Sequence, residues 1–488
     1  MTIIKRFRIK RPQWFLLTSV FLIVSGCSTL KPEKIERPEI PKVEHWTVTE
    51  SNDEKVVLSG LLSFQDARLE ELLKAALIGN FDLQVTATRV EAARAQAKLV
   101  GAAIAPDWSA SAKASRNFRN SALQTGREVY SNNFELGANV SWEVDLWEQL
   151  SNRKKAATWN YQASVTEQSA ARLSLIANIA RSWYNAIEAH LQIQLLEKRL
   201  VNQQENLEIL EERFHHGINN ALDVHLARAS EASEKSRLFQ KKAARESEIR
   251  SLEVLLGLYP SAQLPLAEKL PKLSERIPIG LPSDLLKRRP DIIAAEQRFK
   301  ASEALTAAAY QNRFPSLRLT GTLGASNGEF HKLFSSDQLF GSLIAGIATP
   351  LFYGDELEAQ EEESRAKARE TAIHYARTVL NAFQEVEASL SIEKWLDQQE
   401  TAIDVAMQEA QAGETLAFEQ YQSGLVGFVT VLEAQRRAFD AQSTLIQIRN
   451  SRLQNRIRLH LALGGNFVET KELELETRKV SNISAGEK

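Results

Sequence analysis

The residues that could carry chemistry in this chain are few and widely separated. Cys27 is the single cysteine among the 488 residues, so the chain can form no internal disulfide. His215 and His216 are the one adjacent histidine pair. Neighbouring side chains on a helix point about 100° apart, which makes this pair a poor chelate without a further ligand. No Walker loop, nucleophile elbow or zinc motif occurs. The sequence therefore predicts no enzyme, no metal site and no cofactor.

Cys27 lies at the end of a secretory signal that occupies residues 1–26. Basic residues precede a short apolar stretch, Trp14 to Val24, and small residues lead into Val24-Ser25-Gly26-Cys27. The apolar run of roughly 11 residues is too short for a spanning helix, which needs about 20. The pattern resembles the bacterial lipobox, which implies cleavage before Cys27 and acylation of its amine and thiol. An ordinary signal with a chance cysteine is the alternative. Ser28, in place of Asp, resembles a signal for the outer membrane.

The two ends of the mature chain are polar. Residues 27–60 hold Pro32, Pro38 and Pro41 among charges, which predicts an extended tether for the lipid anchor. Residues 469–488 predict a solvated, charged tail. A net charge of −2 gives no indication of a nucleic-acid partner.

The body of the chain is two copies of one unit, residues 61–257 and 282–468, joined by a proline-rich linker at 258–281. Pro315 follows Pro106 by 209 residues, and Gly424 follows Gly217 by 207. Each copy predicts a helix, a strand pair, a long helix, a tight turn and a returning helix. The strand pairs are 107–145 and 316–352, the long helices 148–214 and 355–421, and the returning helices 222–256 and 429–463. Such a repeat is a strong constraint on the fold.

The long helices are rich in Ala, Glu, Gln, Arg and Leu, which favour helix. At a rise of ~1.5 Å per residue each is roughly 100 Å long, which exceeds a compact domain and indicates a helical tube.

The strands alternate apolar and polar residues, as in Phe134 to Asp145 and Leu317 to Ser326. Alternation predicts one apolar and one polar face, and spans of about 10 residues are typical of transmembrane strands. A half-buried soluble sheet is the alternative for any single strand. Four strands cannot close a barrel, and lipid tolerates no open edges, so the chain must share its barrel with copies of itself. The number of strands per chain does not set the number of copies.

Several motifs resemble those of the TolC-like outer-membrane efflux family, in its lipoprotein branch. They are Gly280-Leu281-Pro282-Ser283-Asp284-Leu285-Leu286, Arg289-Pro290-Asp291-Ile292, Phe314-Pro315-Ser316-Leu317, Asp145-Leu146-Trp147 and Pro350-Leu351-Phe352. The resemblance covers roughly Leu61 to Val468. It implies a lipid-anchored homotrimer in the outer membrane of a Gram-negative cell, with a twelve-stranded β-barrel and a periplasmic α-barrel. It also implies an equatorial belt near 258–281, a periplasmic adaptor and an inner-membrane transporter.

The two helix reversals match the family's periplasmic tip, where the adaptor docks. The predicted contacts are Gly217, Ile218, Asn219 and Asn220 in the first reversal and Gly424, Leu425, Val426 and Gly427 in the second. A plain solvated turn is the alternative. We expect Leu425, Val426 and Phe428 to be exposed together, which favours contact with a partner.

Acidic residues after the second tip line the closed aperture in this family. Glu433 keeps a carboxylate at one matching position, whereas Thr430 stands where the family usually has Asp. Asp223 is the equivalent of Thr430 in the first copy and could line the tip instead, and a solvated helix carboxylate is the alternative for each. A charged ring at a constriction favours passage of cations.

The predicted function is a passive exit duct of a tripartite pump for small molecules. A duct for type I protein secretion is the alternative within the same fold. A periplasmic coiled-coil scaffold without a barrel is the alternative from another class. The sequence specifies neither the substrate nor the cognate adaptor.

Overall fold

A computed structural model describes residues 35–41, 43, 46–47, 66–120, 128–273 and 282–465. The predicted signal peptide, Cys27, most of the tether and the tail at 469–488 lie outside the described residues. The described chain is predominantly helical and contains one sheet. No helix in these ranges is both long and apolar enough to cross a membrane.

The elements of the two copies follow one another in the same order. The first copy contains α1 (Ala67–Gly79), α2 (Phe81–Ala102), β1 (Asp107–Asn120), β2 (Glu128–Val144), α3 (Gln149–His215) and α4 (Ala221–Leu255). The second contains α5 (Pro282–Arg288), α6 (Pro290–Gln311), β3 (Ser316–Asn327), β4 (Leu339–Ala348), α7 (Glu356–Gln422) and α8 (Phe428–Ala462). The long helices α3 and α7 both have 67 residues, and α4 and α8 both have 35. The copies therefore match in length as well as in order.

The four strands form one antiparallel sheet in the order β1-β2-β3-β4. The register places apolar residues opposite one another in a continuous row, with Ala112 opposite Leu136, Leu136 opposite Ala325, and Ala325 opposite Leu339. The residues between them on each strand point to the other face, where Lys113 is opposite Glu135. The alternation seen in the sequence therefore gives one apolar and one polar face across β1, β2 and β3, whereas β4 is apolar on both faces, with Phe340 and Ile344 on the second. The fourth strand ends at Ala348, earlier than predicted, because Pro350 cannot donate a ladder hydrogen bond.

The chain divides into two compact units, and both contain parts of both copies. One unit comprises the described residues of 1–38, 94–161 and 298–373, and includes the sheet. The other comprises those of 39–93, 162–297 and 374–488, and consists of helices and the start of the linker. The division in space therefore does not follow the repeat in sequence.

The core of the helical unit is built around Trp183, which is fully buried. The Trp183 Nε1 donates to Asp66 Oδ2 at 2.8 Å, while Asp66 Oδ1 accepts the Leu69 N–H at 3.0 Å and so caps α1. A buried indole needs such a partner, because an unpaired buried donor costs about 1–3 kcal/mol. One carboxylate thus both starts α1 and positions the largest core side chain.

The C-terminal ends of α4 and α8 are held in the same way by different side chains. The Asn80 Nδ2 donates to the Leu255 carbonyl at 2.9 Å, and the Arg289 Nη1 donates to the Ala462 carbonyl at 3.0 Å. Leu255 and Ala462 are 207 residues apart, so they are equivalent positions of the repeat. A guanidinium or amide at a helix C-terminus satisfies a carbonyl that has no partner within the helix.

Arg289, in the most recognisable motif of the sequence, is a structural residue. Its guanidinium bonds Asp291 at 2.6 Å and Glu385 at 2.6 Å. Burial lowers the pKa of Arg289, but the hydrogen bonds and charges of the two carboxylates outweigh this effect and raise the pKa above its ordinary value. The cation is therefore permanently available to hold the end of α8.

Two of the described residues of the predicted tether, Ile35 and Trp46, are packed against helices. Ile35 is buried against Phe299 and Ala368 in the unit that contains the sheet. In the helical unit, Trp46 is buried against Phe383, and the Thr47 N–H and hydroxyl bond Glu387 at 2.8 and 2.7 Å. The described residues of this segment are therefore fixed by apolar contacts, Ile35 in one unit and Trp46 in the other.

Gly257, after α4, and Gly217, after α3, allow the cost of close packing at a helix end to be separated from the cost of backbone strain. Both have a left-handed φ, +75° and +74°, but a Cβ at 257 would lie 2.3 Å from the Gly79 carbonyl oxygen, whereas a Cβ at 217 meets nothing within 4 Å. We expect Gly217→Ala to cost about 1–2 kcal/mol through backbone strain alone. We expect Gly257→Ala to cost a further ~1–3 kcal/mol through overpacking. Apparent Tm values, followed by circular dichroism at one scan rate, check this, and equal shifts in the two variants would refute the packing argument.

Candidate functional site at the helix reversals

The first reversal ends α3 with a glycine in the left-handed conformation. The Gly217 N–H donates to the Phe214 carbonyl at 2.9 Å, and the Ile218 N–H donates to the Arg213 carbonyl at 2.9 Å. This pair of bonds is a Schellman motif, which requires positive φ at the glycine. The Asn220 side chain then accepts the Asp223 N–H at 3.0 Å and starts α4.

The second reversal repeats the first, except at the cap. The Gly424 N–H donates to the Tyr421 carbonyl at 3.0 Å, and the Leu425 N–H donates to the Gln420 carbonyl at 2.9 Å. Gly427 occupies the cap position equivalent to Asn220 and has no side chain to accept a hydrogen bond. The start of α8 therefore lacks the stabilisation that Asn220 gives to α4, about 1 kcal/mol for a typical cap relative to alanine and less relative to glycine.

The two reversals contact each other through Tyr421. The Asn219 Nδ2 donates to the Tyr421 hydroxyl at 2.7 Å, and the Arg213 guanidinium lies 5.1 Å from the centre of the Tyr421 ring. The Tyr421 ring also packs against Phe428 in a T-shaped contact, with the ring centres 5.5 Å apart. Tyr421 and Phe428 belong to one buried cluster that also includes Leu210. We call this cluster with the Asn219–Tyr421 bond the tip core.

The predicted exposed apolar group at the second reversal is partly wrong. Phe428 is only 2% exposed, because it fills the tip core, and Val426 packs against the same cluster. Leu425 is exposed as expected, and so is its equivalent Ile218.

Sequence analysis missed a second exposed apolar pair, Leu222 and Val429. The signal that could have found it is the repeat, because the two residues lie 207 apart, as Ile218 and Leu425 do. Two apolar side chains therefore face outward at equivalent positions of each reversal.

The three aperture candidates have different electrostatic environments. Asp223 lies half-buried in the first turn of α4, and no Lys or Arg of the described residues lies within ion-pair distance of it. Thr430, its equivalent in the second copy, is exposed and borders a groove of about 730 Å³ between α7 and α8 that Glu433 also lines.

Glu433 forms ion pairs with two arginines of its own helix. Its Oε1 lies 2.8 Å from Arg436 Nη2 and 2.8 Å from Arg437 Nε. Hydrogen bonds from Arg436 and then Arg437 lower the pKa of Glu433 to about 2. A depressed carboxylate pKa means that the ion pair persists as pH falls below the ordinary carboxylate range and is lost only as pH passes through about 2. The negative charge of Glu433 is therefore offset by two neighbouring arginines, whereas that of Asp223 has no such partner among the described residues.

His215 and His216 lie at the exposed end of α3. Within the ranges that the structure describes, no three His, Cys, Asp or Glu side chains come together as a metal-binding group. The arrangement at the reversals offers apolar contact and a carboxylate rather than a reactive centre.

Comparisons with known proteins agree with this arrangement. A family model described as outer membrane efflux protein matches residues 72–258 and 281–465, which are the two copies. The cation efflux system protein CusC of Escherichia coli K12 is 29% identical over 454 residues, covering 91% of this chain and 98% of CusC. The antibiotic efflux pump outer membrane protein ArpC of Pseudomonas putida is 31% identical over 458 residues, covering 92% of this chain and 94% of ArpC.

Solved structures show the same fold. A CusC structure superposes with a TM-score of 0.81 at 28% identity, covering 90% of this chain and 100% of that chain. The CmeC outer membrane channel of Campylobacter jejuni gives a TM-score of 0.85 at 24% identity, covering 92% and 98%. The predicted fold class, long antiparallel helices with a four-stranded share of a barrel, is confirmed.

The Asn219–Tyr421 bond can be tested alone with Tyr421→Phe, which keeps the ring in the tip core. Loss of one hydrogen bond of about 1 kcal/mol should speed amide exchange at the reversals roughly fivefold. Hydrogen exchange measured by mass spectrometry on peptides spanning 210–224 and 418–431 checks this. Tyr259→Phe, which alters an exposed ring away from the reversals, is the control. Identical exchange in both variants would show that the bond does not hold the reversals together.

Proposed function

The chain belongs to the outer membrane efflux protein family, and we propose from this premise that three copies of it close into one duct that releases small molecules from the cell. The chain is the outer-membrane channel component of an efflux system. The number of copies, the lipid anchor, the docking residues and the class of cargo are the parts that we propose.

The observation that carries the proposal is the sheet with one apolar face. Apolar residues of all four strands lie on that face in register, and Leu343, Ile347 and Leu323 on it are exposed in the single chain. A row of exposed apolar side chains of this extent suits hydrocarbon better than water. Trp108 and Phe118 lie at opposite ends of β1 on this face, and both are exposed. Aromatic residues at both ends of a strand are typical of the two membrane interfaces.

The open edges of the sheet require further copies. In the described chain β1 pairs only with β2 and β4 only with β3, so each has one edge without partners. Unpaired backbone groups cost several kcal/mol each in lipid, which only a closed barrel avoids. Three copies give the twelve strands that the resemblance implies, with the polar face lining the duct.

The lipid anchor at Cys27 is compatible with the packed start of the tether. Ile35, which is buried, follows Cys27 by eight positions, so the acylated residue can lie at most ~29 Å from that contact at full extension. Trp46 and Thr47 hold the next part of the segment. Palmitate labelling that persists in Cys27→Ser would refute the anchor.

The exposed apolar pairs at the reversals support docking of a periplasmic adaptor there. Ile218, Leu222, Leu425 and Val429 present small apolar patches around helix ends that are otherwise polar. The relatives are named for efflux of cations, toluene and antibiotics. These names favour small molecules over secreted proteins as the cargo class.

The proposed aperture makes a sharp prediction for conductance. Asp223→Asn should lower the preference for cations, because it removes the uncompensated carboxylate, three per duct. The difference in cation selectivity between Glu433→Gln and wild type should be the same at every pH between 7 and 4, because Glu433 remains ionised throughout that range. Reversal potentials of the purified, detergent-extracted protein in planar bilayers measure both.

The same recordings test the duct itself. Discrete conductance steps are expected from trimers, with Tyr421→Phe opening more often if the tip core restricts the pore. A water-soluble monomer that gives no channels in either form would overturn the proposal in favour of the scaffold.

Docking at the reversals is tested with Ile218→Asp combined with Leu425→Asp. We expect dye accumulation in the native host to rise to the level of a deletion strain, because two charges disrupt an apolar contact. Gln422→Asp is the control, since it adds charge at the exposed end of α7 without removing an apolar side chain. Heat-modifiable trimer in the outer-membrane fraction must be equal in all strains. Normal efflux by the double variant would place docking elsewhere.

A further inference from the structure

The strand β4 differs from the other three on the polar face of the sheet. Alternate residues of a strand share a face. Those of β4 on the polar face are Phe340, Ser342, Ile344, Gly346 and Ala348. The register supports this assignment, because Ser342 is opposite Thr322 of β3, which in turn is opposite Asn139 of β2. Two large apolar side chains therefore stand on a face that is predominantly polar.

The repeat gives an internal comparison for this strand. The helices α3 and α7 begin 207 residues apart, and the same offset relates β2 to β4. It makes Asn133 the equivalent of Phe340 and Gly137 the equivalent of Ile344. The strand β4 contains no charged residue, whereas β2 contains three glutamates. The apolar side chains on the polar face are therefore specific to the second copy and are not a requirement of the fold.

The Phe340 ring is held against the backbone of β3. Its partner in the ladder is Gly324, and a Cβ added there would lie 2.9 Å from Cζ and 3.2 Å from Cε1 of the ring. The next residues of the same row are Gly137 and Ser111, which are too small to cover the ring. Phe340 is accordingly 40% exposed. Contact with a glycine backbone thus positions the ring and leaves the rest of it accessible.

Ile344 continues the apolar surface along the strand. It follows Phe340 by four positions, which is about 13 Å in a β-strand. Its partner in the ladder is Thr320, and its side chain is 60% exposed. Only the small Ser342 lies between the two on this face. We call Phe340 and Ile344 the β4 track.

Neither burial nor lipid accounts for the β4 track. Leu343 and Ile347 lie on the opposite, apolar face, where hydrocarbon would cover them. Phe340 and Ile344 face the other way and remain exposed within the described chain. Exposed apolar groups on a polar surface are typical of a contact site, because they gain free energy only when an apolar partner displaces water. Along the lumen of the proposed duct, what passes this face is water and cargo.

We propose that the β4 track contacts cargo that has an apolar or aromatic body and favours its passage over that of polar cargo of equal charge. The inference rests on the proposed duct, whose lumen the polar face lines, and adds a class of cargo to it. A ring edge and one branched side chain give a weak, reversible contact. Passage through a pore requires contacts of this strength, since cargo must leave as readily as it enters.

Selectivity for apolar cargo is separable from selectivity for charge. The strand β4 is uncharged, and Arg318, which is opposite Gly346 on the polar face, is paired with Glu143 at 3.2 Å. The uncompensated carboxylate proposed for the aperture, Asp223, belongs to α4. Two probes of equal charge therefore report on the β4 track alone.

Tetraphenylphosphonium and tetramethylammonium are such a pair, because both are monovalent cations and only the first has a large aromatic body. In planar bilayers we expect tetraphenylphosphonium to cause transient blocks of wild-type channels and tetramethylammonium to cause none. Phe340→Thr combined with Ile344→Thr should shorten the blocks about fivefold, the size expected for loss of an aromatic contact. Threonine retains strand propensity and already occurs on this face at Thr320 and Thr322.

Two further variants control for side effects of substitution. Phe340→Leu combined with Ile344→Val keeps the track apolar and should keep blocks close to the wild-type length. Thr322→Asn changes a polar side chain of the same face and should leave the blocks unchanged. Equal amounts of heat-modifiable trimer are required of every variant. Ile344→Thr alone, the milder change, replaces the double threonine variant if that variant assembles poorly, and it should also shorten the blocks.

The outcomes separate the β4 track from the duct itself. Blocks of wild-type length in the threonine variant would overturn the track, and so would equal shortening in Thr322→Asn. Open wild-type channels that tetraphenylphosphonium does not block would overturn it as well, while leaving the duct intact. A protein that gives no channels, with or without Tyr421→Phe, would instead count against the proposed function.

Discussion

The constraint on which this structure depends is that a backbone in lipid must satisfy its own hydrogen bonds. A four-stranded sheet satisfies the inner edges of its strands and leaves two outer edges, on β1 and β4, without partners. Other features of the chain agree with a sheet whose outer edges lack partners. The apolar side chains of β4 are exposed, and α2 has no buried residue.

Equivalent positions of the two copies have the same structural role even where their residue types differ. Asn80 and Arg289 both bond the last turn of a returning helix, although an amide in one copy replaces a guanidinium in the other. The guanidinium is buried, so it needs the carboxylates of Asp291 and Glu385, which explains why the motif around Arg289 is rich in charge. The motif around Arg289 thus joins the end of α8 to α7 and lies away from the tip core.

Much of the fold could be predicted because its signals are long and periodic. The two 67-residue helices, the glycines at their ends and the alternating strands follow from propensity, positive φ and period-two patterning. The bounds of the two long helices differ from prediction by one residue, whereas the fourth strand ends several residues early. What the sequence could not supply are contacts between distant segments. Burial of Phe428 depends on Tyr421 and Leu210, and compensation of Glu433 depends on which rotamers Arg436 and Arg437 adopt.

The two copies differ at the reversals in the residues that cap the helices and carry charge. Asn219, Asn220 and Asp223 of the first reversal are replaced by Val426, Gly427 and Thr430 in the second. The first reversal therefore has the stronger cap, the free carboxylate and the donor to Tyr421, whereas the second has a glycine cap and apolar side chains. The α7–α8 reversal is thus the less constrained of the two.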